Sequence, residues 1–149
     1  MEKTDLLPAD YVHKIEAYCA RGEHCPSQLR RKVLTDGGTA EKAEQLINHL
    51  IEEDYINTAR FCRAYVHDKV HYQAWGRNKI RAMLIGLELP HNDIDDALLT
   101  IDEQIYTDNL LRLAQSNHNK TREQQLRFLL QRGFTYDEIL HKWKQKPSK

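Results

Sequence analysis

Ala43, Leu46, Ile47, Leu50 and Ile51 stand at i, i+3, i+4, i+7 and i+8. An α-helix turns such a set toward one face, whereas a strand scatters it over both. Ile94, Ala97, Leu98 and Ile101 repeat the spacing, and strand signals are absent. Helix starts are marked as well. Thr121 with Gln124 and Thr135 with Glu138 have capping-box spacing, in which each side chain satisfies the other residue's orphan backbone N–H. Thr39 and Asn92 suit the N-cap position of two further helices.

The apolar pattern also recurs at long range. A shift of 51 carries Tyr11 onto Cys62, Ile15 onto Val66, Leu29 onto Ile80, Val33 onto Leu84, Ile47 onto Leu98 and Tyr55 onto Tyr106. Continued, it carries Ala59 and Cys62 onto Leu110 and Leu113; the offset then falls to 45, taking Leu84 to Leu129, Ile94 to Ile139 and Leu98 to Trp143. The pattern predicts an all-α fold of three tandem three-helix repeats, over 9–56, 57–107 and 108–145, with tails at 1–8 and 146–149. A helix triplet of this size buries too little surface to stand alone, so the units are expected to stack into an elongated, curved array. Such a shape offers a long edge, suited to a partner larger than a metabolite.

Composition narrows the function classes. Lys+Arg and Asp+Glu both number 22, so no global field draws the chain to a polyanion, and any nucleic-acid contact must come from a local patch. Cys19, Cys25 and Cys62 are an odd number, which favours reduced thiols. The start, Met1 to Asp10, carries acids and a proline where a signal peptide needs a basic end and an apolar run. No apolar stretch approaches the roughly 20 residues that cross a bilayer. The expectation is a cytoplasmic monomer with no membrane association.

Catalytic motifs are missing: there is no Gly-rich phosphate loop, no His-Glu-x-x-His and no nucleophile elbow. His24 and Cys25 lie near Cys19 without the paired Cys-x-x-Cys of a structural zinc site. His91, Asp93, Asp95 and Asp96 fit helix-start acids favoured by the macrodipole better than ligands of a hard cation. The expectation is a protein with no catalytic residue, no metal and no cofactor. Two other classes stay open: a helical module acting directly on DNA, and an enzyme whose site is assembled only by the fold.

Particular runs carry a resemblance. Tyr55-Ile56-Asn57 with Arg60-Phe61, then Trp75-Gly76-Arg77-Asn78-Lys79-Ile80, then Arg127-Phe128-Leu129-Leu130-Gln131-Arg132-Gly133-Phe134 resemble, in order and separation, the RecX family of recombinase regulators. The similarity extends from about Tyr18 to Trp143 and includes Pro26-Ser27 ahead of Gln28-Leu29-Arg30-Arg31. Two departures stand out. Glu88 precedes Leu89 where the family often has glycine, and Asn57, Thr58 and Ala59 replace the usual acid after the aromatic. The resemblance implies a protein that lodges in the groove of the RecA filament on single-stranded DNA, spanning adjacent subunits. It further implies inhibition of RecA's ATP hydrolysis, strand exchange and co-protease activity, and no chemistry by the regulator itself.

Basic residues recur at related positions: Arg30, Arg31 and Lys32, then Arg77, Lys79 and Arg81, then Arg127 and Arg132. One edge could hold them all, facing acidic RecA surface or DNA phosphate, and a merely solvated face is the competing reading. Trp75 is either an interface anchor or, the favoured reading, packing between units. Phe128, Phe134 and Trp143 are expected in the core. Lys142, Lys144, Lys146 and Lys149 make a basic end that frays or weakly contacts phosphate.

Overall fold

In a computed structural model the chain is described over residues 7–116 and 119–145, which form nine α-helices and no strand. They are α1 (Ala9–Ala20), α2 (Pro26–Thr35), α3 (Ala40–Glu52), α4 (Thr58–Gln73), α5 (Arg77–Gly86), α6 (His91–Leu98), α7 (Glu103–Ser116), α8 (Arg122–Gln131) and α9 (Tyr136–Gln145). The basic end at Lys146 and Lys149, with most of both terminal tails, lies outside the described residues.

Side chains placed by the sequence open most of these helices. Thr39 Oγ1 accepts from Lys42 N at 3.1 Å and the Asn57 side-chain oxygen from Arg60 N at 2.9 Å. Both anticipated capping boxes form, Thr121 with Gln124 and Thr135 with Glu138. Asn92 does not cap α6. The helix begins one residue earlier, at His91, directly after Pro90, whose fixed φ suits a helix entrance and whose missing N–H leaves no donor to satisfy.

The turn after the second helix of each set has one conformation in three sequences. Gly37, Glu88 and Gly133 occupy it, spaced by the same 51 and 45, at φ of 98°, 64° and 106°. Glycine adopts positive φ freely; a side chain there costs about 1–2 kcal/mol. Glu88 therefore takes the turn conformation that glycine takes in the other two units, at a local cost.

The buried residues fall into two clusters. Ile15, Cys19, Leu29, Val33, Leu46, Ile47, Leu50 and Ile56 form one among α1, α2 and α3. The larger runs from Phe61 through Val66, Ile80, Leu84 and Ile94 to Leu110, Leu129, Phe134 and Ile139, so α4 to α9 share a single core. The division at 107/108 needs correction, because it falls inside α7. That helix starts at Glu103, after Asp102 Oδ1 accepts from Gln104 N at 2.9 Å and Ile105 N at 3.2 Å. Tyr106 shares a repeat position with Tyr55, which precedes its helix, but Tyr106 lies within one.

Candidate functional site

Two of the three runs that carry the family resemblance, 75–80 and 127–134, meet where α5 begins. A helix leaves its first backbone N–H groups without partners inside the helix. Here Gly76 N donates to Arg132 O at 2.8 Å, Asn78 N to Gly133 O at 2.9 Å, and Arg77 N to the Tyr106 hydroxyl at 2.9 Å. The α8–α9 turn and α7 thus supply the cap that Gly76 has no side chain to provide. The approach is so close that a Cβ on Gly76 would lie 2.2 Å from the Gly133 carbonyl carbon, and one on Gly133 would lie 2.5 Å from Lys79 Cβ. Gly76 has ordinary φ, so space alone demands glycine; Gly133 needs it for both space and conformation.

Side chains lock the same junction. The half-buried Arg77 lies over the Tyr106 ring at 4.2 Å, pairs with Glu138 at 2.9 Å and also pairs with Glu103. Tyr106 donates to Glu138 Oε1 at 3.0 Å, the oxygen that also accepts Thr135 N at 2.9 Å. One carboxylate therefore closes the α9 capping box and anchors α5 and α7. Burial, reinforced by the Glu138 charge, raises the Tyr106 phenol pKa above its ordinary value.

The junction of α2 with α5 follows a related plan. Cys25 shares its repeat position with Gly76 and is fully buried in the larger core, while Ser27 Oγ donates to Leu87 O at 2.7 Å. Arg60 Nε pairs with Glu23 at 2.7 Å and tightens the same boundary. All three cysteines are buried, and burial pushes the thiols of Cys19 and Cys62 up to about 11.

The nine candidate residues separate under this geometry. Arg30 pairs with Glu44 and Arg81 with Asp95, equivalent bridges one repeat apart; the third unit has Leu126 and Leu140 at the two positions. Lys32 sits 3.8 Å from Asp36 and 5.0 Å from the Tyr18 ring centre. Arg77 is held inside the junction, and Arg132 donates to the Gln73 carbonyl. The half-buried Trp75 packs against the larger core, with Lys79 at 4.3 Å and Lys69 at 4.8 Å over its ring. Arg31 and Arg127 are exposed, and neither makes an ion pair among the described residues. Arg30 and Arg31 line a groove of about 440 Å³ closed on its other side by Gly86, Leu87 and Glu88. Phe134 is buried, whereas Phe128 and Trp143 pack on the core while partly exposed.

Sequence reasoning missed Tyr106, Glu138 and Lys69. Glu138 was legible only as a cap, since Arg77 lies 61 residues away. Among the described residues no three His, Cys, Asp or Glu side chains gather as metal ligands, and no helix is long and apolar enough to cross a membrane.

Comparison with known proteins places this architecture. A "Regulatory protein RecX" from Pseudomonas tolaasii is 33% identical over 126 residues, covering 80% of this chain and 81% of the relative. The chain belongs to the RecX family. A family profile described as "RecX, second three-helix domain" matches residues 57–98, from the N-cap of α4 to the last residue of α6. The RecX fold itself is shared with a crystal structure of RecX from Lactobacillus salivarius, at a TM-score of 0.74 and 21% identity over 93% of this chain and 97% of that one. A RecX regulatory protein of Clostridium perfringens (strain 13 / Type A) is 28% identical over 120 residues, and there the chain spans only 56% of the relative's length.

Proposed function

We propose that this RecX-family chain is a non-catalytic regulator that binds the RecA filament on single-stranded DNA and restrains it. The observation that carries the reading is the 33% identity to a regulatory RecX protein over four-fifths of both chains. The basic character of α2 and α5 supports it: each holds three Arg or Lys residues and no Asp or Glu, in a chain whose charges sum to zero. Arg31 and Arg127, free of internal ion pairs, are the strongest basic contacts in this reading, and Arg77 belongs to the folding of the junction. Charges of this kind steer association and make it salt-sensitive.

The protein acts as a cytoplasmic monomer whose stacked units span adjacent RecA subunits, lowering ATP hydrolysis, strand exchange and co-protease activity. A second reading, direct contact with nucleic acid, is favoured by Lys69 and Lys79 gathered around the half-exposed Trp75, a local cluster of positive charge suited to a phosphate backbone. Titration of the purified protein into RecA hydrolysing ATP on single-stranded DNA tests both, beside a gel shift on the same DNA without RecA. Inhibition below one regulator per RecA with little shift of naked DNA supports the regulator. Unchanged hydrolysis contradicts it, and tight binding to DNA alone transfers support to the second reading.

A further inference from the structure

Leu34, Ile85 and Leu130 are 48%, 44% and 42% exposed, and they occupy one repeat position: 34 plus 51 is 85, and 85 plus 45 is 130. Isolated exposed apolar residues are ordinary on protein surfaces. Recurrence at one position in three units is not explained by that rule. The other exposed large apolar side chains, Ile51, Tyr72, Met83, Leu99 and Tyr136, have no exposed large apolar counterpart in another unit among the described residues.

The helices carrying the three residues are joined end to end. The start of α5 is seated on the turn that closes α8, and the start of α2 bonds to the turn that closes α5. Each helix spans about 15 Å at 1.5 Å per residue, so the three apolar side chains stand at intervals of that order. Arg31 precedes Leu34 by three residues and Arg127 precedes Leu130 by three, which places each cation on the same helix face as its apolar neighbour; the middle unit has Ala82 at that position. The groove between α2 and the end of α5 contains both Arg31 and Leu34.

We infer that the outward faces of α2, α5 and α8 form a row of three related docking points, each engaging an apolar patch, with acidic groups beside the first and third, on a successive subunit of a polymeric protein. The inference rests on the RecA-filament reading and specifies which face meets the filament. Repetition argues for the polymer, because three related points can be satisfied alike only by a surface that itself repeats. Apolar side chains argue for protein over nucleic acid, since a phosphate backbone gives a leucine nothing to bury against. The acid-free sequences of α2 and α5 supply the charge complementarity.

The test replaces Leu34, Ile85 and Leu130 by Gln singly, in pairs and together, in the full chain, and measures binding to RecA filaments preassembled on single-stranded DNA. Fluorescence anisotropy of the labelled regulator reads affinity, and circular dichroism melting reads the fold. Each single change is expected to weaken binding roughly fivefold, about 1 kcal/mol, with losses that grow stepwise and an unchanged melting temperature. Wild-type binding with an unaffected triple variant overturns the row and leaves the regulator reading standing. A loss confined to one of the three positions overturns the repetition. No wild-type binding overturns both, and parallel losses on naked single-stranded DNA assign the row to nucleic acid instead.

Discussion

Gly76 and Gly133 are the most tightly enclosed of the six glycines. Replacing Gly76 by Ala forces its new methyl into the Gly133 backbone, so a loss of roughly 1–3 kcal/mol is expected in urea denaturation. Gly86→Ala, with nothing within 4 Å of its added Cβ, is the matched comparison and should be neutral or slightly stabilising. Glu88→Gly is expected to stabilise the protein by about 1 kcal/mol, because it relieves the one non-glycine among three equivalent left-handed turn positions; an unchanged or lower midpoint would show that Glu88 is not strained. The sequence named Gly76 and Gly133 as parts of two motifs 57 positions apart. It could not show that they touch, because close backbone approach leaves no periodic trace in either segment.

At the scale of elements, α5 depends on a cap that it does not encode. Arg77 was legible as a basic residue at the head of a helix and was expected on an outer edge. Its position between Glu103, Glu138 and the Tyr106 ring makes it a structural residue. Arg77→Ala should lower stability by roughly 2 kcal/mol, as loss of charged hydrogen bonds in a half-buried site does, and a melt of the variant measures it. The helices themselves were largely readable, since apolar stripes and capping boxes are local. The unit boundary at 107/108 was not readable locally: Asp102 opens α7 at Glu103, six residues before Asn109, the position equivalent to the α4 start at Thr58.

Burial of ionisable groups predicts the alkaline behaviour of the same elements. The Cys19 and Cys62 thiols are raised from 9.0 to about 11, so the folded state favours their protonated forms. Their contribution is fully present below pH 9 and is lost as pH rises through about 11. Tyr106, also raised, adds a loss in the same direction at higher pH. Chemical denaturation between pH 8 and pH 11 should show stability falling above pH 9, and a flat profile would contradict the burial of these groups.

On the scale of the whole molecule, the sequence repeat revealed nine helices in register but not how they share their interiors. Its apolar offsets are blind to which units fuse, and the structure joins α4 to α9 around one core while α1 to α3 keep another. The candidate surface was legible in part. Basic positions stood out by composition, yet telling an interface charge from an internal one required the partners Glu44, Asp95, Glu103 and Glu138, which lie 14 to 61 residues away. The exposed row of Leu34, Ile85 and Leu130 obeys the same offsets as the core and becomes visible only once burial separates outward from inward apolar residues.

The central claim is that this chain engages the RecA filament as a protein partner. Co-sedimentation with RecA preassembled on single-stranded DNA, compared with the same DNA free of RecA, tests it most directly. The protein should pellet with the filament, saturate at fewer than one copy per RecA as the proposed spanning of subunits requires, and remain in the supernatant with DNA alone. Absence from the filament pellet, or equal sedimentation with naked DNA, would contradict the claim.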